Sequence, residues 1–182
     1  MHIQGTLSSS AQLGRTSALD EALERHADWK LLDRQSGEFT TSKGKEVMVD
    51  MLERFGDKIQ VVYCENDNEA YGAIEAIEES GRSAGCDLSK GEIAVISFDA
   101  VRNALEMTLD GKIAVDTECA PEYGPLLTQI IQMMERGEEI PRKQFVREEQ
   151  FSALSEPSEV EAGGVFYPVR MVSEELIEER SY

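Results

Sequence analysis

The sequence predicts an α/β protein: a parallel sheet forms the middle of three layers, with helices on both faces. Apolar runs recur about every thirty residues, and helix-periodic segments fill the intervals, which is the spacing of βαβ crossovers. The runs are apolar throughout rather than alternating, as strands buried on both faces are. A chain of 182 residues, 41% apolar, makes one domain or one and a fraction, and can bury a real core.

Met1-His2-Ile3-Gln4-Gly5 reads as the tail of a strand entered midway, with room for a signal or lipid anchor upstream of it. Gly5-Thr6 and the serines Ser8, Ser9 and Ser10 form a loop and N-cap. A helix over 11–26 follows, with Leu13, Ala18, Ala22 and Leu23 as its inward stripe. A strand over 29–34 and a polar loop over 35–41, interrupted by Phe39, lead to a helix over 42–55 carrying Val47, Met48, Met51 and Leu52. The stretch VVYCENDNEAYGAIEAI then closes a strand over 59–64, breaks at Glu65-Asn66-Asp67-Asn68, and resumes as a helix over 68–80. Ala70, Ala73, Ile74 and Ile77 are spaced for its inner face.

Residues 81–91 form a turn and 92–98 a strand ending in Asp99. A short helix over 101–109 and a turn at Asp110-Gly111 lead into a strand over 113–117. Pro121 and Pro125 bracket a link. The helix from Leu126 to Arg136 is apolar over more than half its circumference and must bury against something large. Beyond Pro141 the chain is irregular and acidic, through Ser155-Glu156-Pro157 and Gly163-Gly164. It ends in an apolar edge over 165–172 and a charged helix from Glu174.

Several function classes are disfavoured. A formal charge of −18 repels phosphate backbones and anionic lipid, so nucleic acid and membrane surfaces are poor partners. Cys64, Cys86 and Cys119 make an odd set without CxxC spacing, and His2 and His26 lie far from each other and from any cysteine pair. Neither a disulfide framework nor a zinc site is expected. The chain has no GxGxxG and no phosphate-cradling Gly/Lys loop; its GxSxG string, Gly81 to Gly85, falls in the turn after a helix rather than between a strand and a helix, and its first strand ends in Gln4-Gly5 rather than an acidic pair. No cofactor and no enzymatic chemistry are expected.

In an open α/β sheet, ligands gather where strands end and helices begin, and Asn66 and Asp67 stand at such a corner. Asn offers a donor and an acceptor and Asp offers acceptors, a set suited to a polyhydroxylated ligand. Asx residues also cap helices, and Asp67 or Asn68 is expected to cap here.

The motifs QGTLSSSAQLGR, QSGEFTTSKGKEVM, YCENDNEAYGAIEAIEESGRSAGCD, AVISFDAVRNALEMTLDGKIAVDTE and APEYGP occur in that order. Together they resemble the C-terminal lobe of a type I periplasmic sugar-binding protein, in the ribose and galactofuranose branch that serves ABC importers. The likeness runs from Ile3 to about Pro141. It implies a flavodoxin-like lobe over 1–118, a crossover and helix over 119–142 that would pack on an absent N-terminal lobe, and a segment over 143–182 returning to the first lobe.

Residue by residue, the resemblance makes Arg15 a fork onto ring hydroxyls and Phe39 an aromatic near the sugar face. It makes Asn66 and Asp99 polar groups at consecutive strand ends, and Glu118 the polar residue at the last hinge. The chemistry agrees: Arg presents a planar fork of donors, a carboxylate accepts two hydroxyl protons, and an aromatic face covers the C–H side of a sugar. Plainer roles stand beside these. Arg15 could be a surface charge, Phe39 a core anchor, Asp99 a cap for the helix at Val101, and Asp67 a cap rather than a ligand.

The implied function is monosaccharide binding for an importer, with a membrane permease as partner of the full-length protein and a periplasmic or membrane-anchored location. The alternative is the effector lobe of a LacI-type sugar-responsive repressor, which shares the fold. Without the N-terminal lobe, the Leu126–Arg136 helix is expected to fold back, to be disordered or, preferentially, to pair with a second copy.

Overall fold

Ile3 is fully buried at the middle of β1 (His2–Gln4), between parallel partners β2 (Arg34–Ser36) and β3 (Val61–Cys64). β3 pairs with β4 (Ala94–Asp99), and β4 with β5 (Val115–Glu118), again in parallel, giving the order 2-1-3-4-5. The structure, a computed structural model, describes residues 1–144, 146–162 and 164–182. The step from β1 to β2 goes one way along the sheet, and the steps from β2 through β5 go the other. Right-handed crossovers therefore put α1 (Ser10–Arg25) on the face opposite α2 (Thr41–Phe55), α3 (Asp67–Glu79) and α4 (Arg102–Leu109). The three-layer α/β architecture read from the sequence is the one that forms.

The main core joins Ile3, Val62 and Val95 of the sheet to Met48 and Met51 of α2 and to Ala73, Ile74 and Ile77 of α3. α2 and α3 approach closely because glycines face each other's backbones. A Cβ on Gly44 would lie 2.9 Å from the Glu69 Cα, and one on Gly72 would overlap the Thr41 carbonyl oxygen. A second, smaller core gathers Ala100, Leu105, Phe151 and Val172 with Leu176 and Ile177 of α6 (Glu174–Glu179).

Three expectations need correction. The strand placed over 29–34 forms at Arg34–Ser36, because β1 starts at His2 and its register sets His2 opposite Arg34. Earlier residues have no strand to pair with, and Trp29 stays 53% exposed, stacked on His26. The inward stripe of α1 also differs: Leu13 is 58% exposed, Ala18 is exposed, and Gln12 is the buried residue. The helix is fastened by polar bonds at the rim rather than by an apolar face.

The sheet is not purely parallel. β6 (Gln150–Ser152) pairs antiparallel with β5, and β8 (Val165–Met171) pairs parallel with β6. The expected apolar edge is thus one arm of a hairpin with the unanticipated β7 (Glu159–Ala162), whose composition carries little strand signal. Gly163, within the expected irregular stretch, lies outside the described residues.

Finally, α5 (Gly124–Glu135) is a formed helix that does not fold back on the sheet. None of its residues is buried, and Leu127, Ile131 and Met134 are 55%, 55% and 62% exposed. Among the described residues no helix is long and apolar enough to cross a membrane.

Candidate functional site

Strand order 2-1-3-4-5 reverses direction at β1, so a crevice opens between the loops that follow β1 and β3. Arg15, on the second turn of α1 after β1, spans that crevice. Its Nη2 donates to Asp99 Oδ1 at 2.8 Å, its Nη1 donates to the Glu65 carbonyl, and its guanidinium lies 4.9 Å from the Phe98 ring centre. One side chain thus ties together the ends of β3 and β4. Burial pushes the Asp99 carboxyl up, against the pull of Arg15.

The arm that carries Arg15 is pinned by a buried polar network. Glu65 is fully buried and accepts from His2 Nε2 at 2.9 Å, the Gly5 amide at 2.8 Å and the Thr16 hydroxyl at 2.6 Å. Thr16 accepts in turn from Gln4 and Gln12, and the Tyr63 hydroxyl donates to the Arg15 carbonyl. His2 Nδ1 accepts from Arg34 Nε at 2.8 Å, so the imidazole proton sits on Nε2 and the ring is neutral. Burial agrees, pushing the His2 pKa down.

Asn66 is the N-cap of α3, its Oδ1 accepting from the Glu69 amide at 2.9 Å. This corrects the expectation that Asp67 or Asn68 caps: Asn66 is the residue that stays extended as the helix begins. Asp67 points instead to the next strand, accepting from Ser97 Oγ and the Val101 amide. Nor does Asp99 cap α4, whose N-cap is Val101 with no side-chain bond.

Asn66 Nδ2 donates to the Phe39 carbonyl at 3.3 Å, and Glu69 accepts from the Phe39 amide at 3.0 Å. The loop carrying Phe39 is therefore clamped from both sides of its backbone. Glu38 and Phe39 both take left-handed φ values, 56° and 60°, which only such clamping sustains. The half-buried Phe39 ring lies over Gly5, where a Cβ would overlap it.

Arg15, Phe39, Asn66 and Asp99 thus converge on one rim at the carboxyl ends of the parallel strands. Glu118 is on the same rim, in register beside Asp99, but its carboxylate is already engaged. It accepts from Arg180, from the Tyr182 hydroxyl at 2.6 Å and from the Glu149 amide at 2.9 Å. Burial pushes Glu118 up, yet the Tyr182 and Arg180 bonds outweigh it and hold the carboxyl below its ordinary value. A cavity of about 360 Å³ opens beside Glu118, lined by Phe151, Arg170, Arg180 and Tyr182. Two of its arginines are paired, Arg170 to Glu149 and Arg180 to Glu118.

Sequence reasoning missed Glu65, Thr16 and Phe98. Glu65 directly precedes Asn66, but its partners at His2 and Gly5 lie some sixty positions away. Among the described residues no three His, Cys, Asp or Glu side chains are grouped to hold a metal ion.

By fold and rim, this is one lobe of a type I periplasmic binding protein. The chain belongs to the periplasmic binding protein domain family, which matches residues 1–139. It is similar to the galactofuranose-binding protein YtfQ of Escherichia coli, 32% identical over 145 residues, 79% of this chain and 44% of that protein. The ribose import binding protein RbsB of Bacillus subtilis is 34% identical over 119 residues, 64% of this chain and 36% of that one. Among solved structures, the periplasmic binding protein of the arabinose ABC transporter from Shewanella sp. ANA-3, bound to L-arabinofuranose, superposes with a TM-score of 0.73. It is 27% identical, and the match covers 84% of this chain and 49% of that one. The chain therefore spans less than half the length of these relatives, which are named for sugar binding and transport rather than for catalysis.

Proposed function

We propose that this chain is the C-terminal sugar-binding lobe of a solute-binding protein that delivers a monosaccharide, of the ribose or galactofuranose type, to the permease of an ABC importer. It performs no chemistry, and its place is periplasmic or extracellular, as for a periplasmic binding protein. The observation that carries the reading is the Arg15 bridge. A donor fork and the Asp99 carboxylate are held together at the switch-point rim, with the Phe39 ring and Asn66 beside them. Names of relatives that transport sugars support import over transcriptional repression.

Half of the enclosing wall belongs to the length that this chain does not span, so the lobe alone binds weakly. In the whole protein, hinge closure of two lobes buries the sugar. Glu118 stays a candidate ligand residue, reached only if Arg180 and Tyr182 yield it. On its own, the 182-residue chain pairs with a second copy through the apolar face of α5, since exposed Leu127, Ile131 and Met134 cost about 25 cal/mol per Å² of wet apolar surface.

The test is amide NMR with ribose, arabinofuranose and galactofuranose at millimolar concentration. Shifts confined to Arg15, Phe39, Asn66 and Asp99, and lost in Arg15→Ala, are expected. Micromolar affinity for the isolated chain defeats the half-site reading, and shifts away from the rim defeat the site.

A further inference from the structure

Just beneath the rim lies a second acidic group that the proposed sugar contacts do not use. Ser97 of β4 and Asp116 of β5 are register partners, and side chains two residues on, Asp99 and Glu118, share their face of the sheet. Asp67, from the first turn of α3, reaches the same point. Its Oδ1 accepts from the Ser97 hydroxyl at 2.6 Å and its Oδ2 from the Val101 amide at 3.0 Å. Asp116 completes the group. It is fully buried, and neither of its oxygens has a donor at hydrogen-bonding geometry.

Several neighbouring elements bring groups to Asp116. α3 brings the Asp67 carboxylate and the buried Tyr71 hydroxyl, β4 brings Asp99, and the turn after β4 brings the Ala100 amide. Across the sheet its partner on β6 is Phe151. None of these groups is a cation, and Arg180, whose guanidinium lies 5.0 Å from the Phe151 ring centre, is bound to Glu118. Two ionised carboxylates cannot share a dry site, because neither is paired and both lose their hydration. One proton placed between them turns the repulsion into a charge-assisted bond. Asp67 already holds two donors and is the better anion; Asp116, which the Ala100 amide faces without reaching full hydrogen-bonding geometry, is the better acid.

We propose that Asp116 is a neutral carboxylic acid that donates its O–H to Asp67, and that this proton fixes the turn carrying Asp99 to Arg15. Asp116 is thus a positioning residue. Asp67 holds the Val101 amide, and the two residues before Val101 are strained: Asp99 has φ 111° and Ala100 φ 54°, conformations that non-glycine residues keep only when held. With Asp116 ionised, Asp67 is pushed away, the Val101 amide is released and Asp99 leaves the Arg15 fork. Burial acts in the same sense, pushing the Asp67 carboxyl up to about 6 and that of Asp116 well above the usual carboxylate range. The consequence for sugar binding rests on the function proposed above; the location of the proton does not.

Carboxyl carbon NMR of the full chain, labelled at aspartate, tests the proton directly. At neutral pH one aspartate is expected to keep the resonance of a protonated acid, and that resonance is lost in Asp116→Asn. Every aspartate showing a carboxylate resonance would overturn the proposal without any variant being made. Positioning is read from the Arg15 guanidinium protons, which are slowed in exchange by the Asp99 bond. Asp116→Asn offers an amide N–H in place of the acid O–H and is expected to keep the slowed signals, whereas Asp116→Ala loses them. Equal loss in both variants would sink the positioning role. A protonated Asp116 together with rim residues that ignore every sugar refutes the proposed function and leaves this inference standing; an ionised Asp116 with sugar-induced rim shifts does the reverse.

Discussion

Arg15 shows how little of a site's geometry is carried by the identity of one residue. Its motif placed it among candidate sugar ligands, but its reach to the ends of β3 and β4 depends on Thr16, Tyr63 and Glu65 holding α1 in place. Asn66 was legible as a polar corner, and its two actual tasks, capping α3 and holding the Phe39 loop, became visible only when that loop was brought beside it. His2 is a comparable case with a pH consequence. Burial lowers its folded-state pKa below the ordinary value of 6.5, so the folded chain binds that proton less readily than the unfolded chain. The stability it contributes is present above the ordinary value and is lost as pH falls below it. Thermal unfolding of wild type and His2→Gln, stepped from about pH 7.5 to about pH 5, should therefore shift in favour of the variant on the acid side. A difference that stays constant with pH would mean that folding leaves the His2 pKa unchanged.

At the scale of elements, the pairing of α2 with α3 is the feature most exposed to a single methyl group. Both helices were readable from their periodicity, while their close approach through Gly44 and Gly72 was not, since two glycines in helical sequence ordinarily signal only weakness. Gly72→Ala should destabilise the chain by about 1–3 kcal/mol or more, because the new carbon meets rigid backbone of α2 rather than a side chain that can turn away. Denaturant unfolding measures it, and an unchanged midpoint would show that the helices separate freely. The opposite holds for α5. Replacing Leu127 and Ile131 together by lysine removes apolar surface that is already wet, so the unfolding midpoint of the monomer should hold. Sedimentation should show dissociation of any dimer. A large loss of stability in dilute solution would place that face against the chain's own core.

For the whole molecule, buried acids dominate the response to pH. Burial raises Glu69 to about 7 and Asp67 to about 6, and pushes Asp116 well above the usual carboxylate range. For each, the folded state holds its proton more tightly than the unfolded state. Their contribution is complete below the ordinary carboxylate values and is lost as pH climbs through about 6 and 7, a sign opposite to that of His2. Three such groups outweigh His2 and the buried amino terminus of Met1, whose pKa burial also lowers, so the unfolding temperature should be lower at about pH 8 than at about pH 5, and Glu69→Gln should flatten the slope. A melting temperature that rises steadily over that range would refute this assignment of protons.

The sequence by itself determined the α/β class, the run of five crossover-linked strands, the family and the residues that gather at the strand ends. These follow from periodicity and local motif, which a chain carries wherever it folds. Only the tertiary structure decided that Glu118 is engaged by Arg180 and Tyr182, that Asp67 braces the turn before α4, and that Asp116 faces it without a donor. Those outcomes depend on partners dozens of positions apart meeting in a dry interior, where an unpaired charge is costly enough to dictate which group keeps the proton.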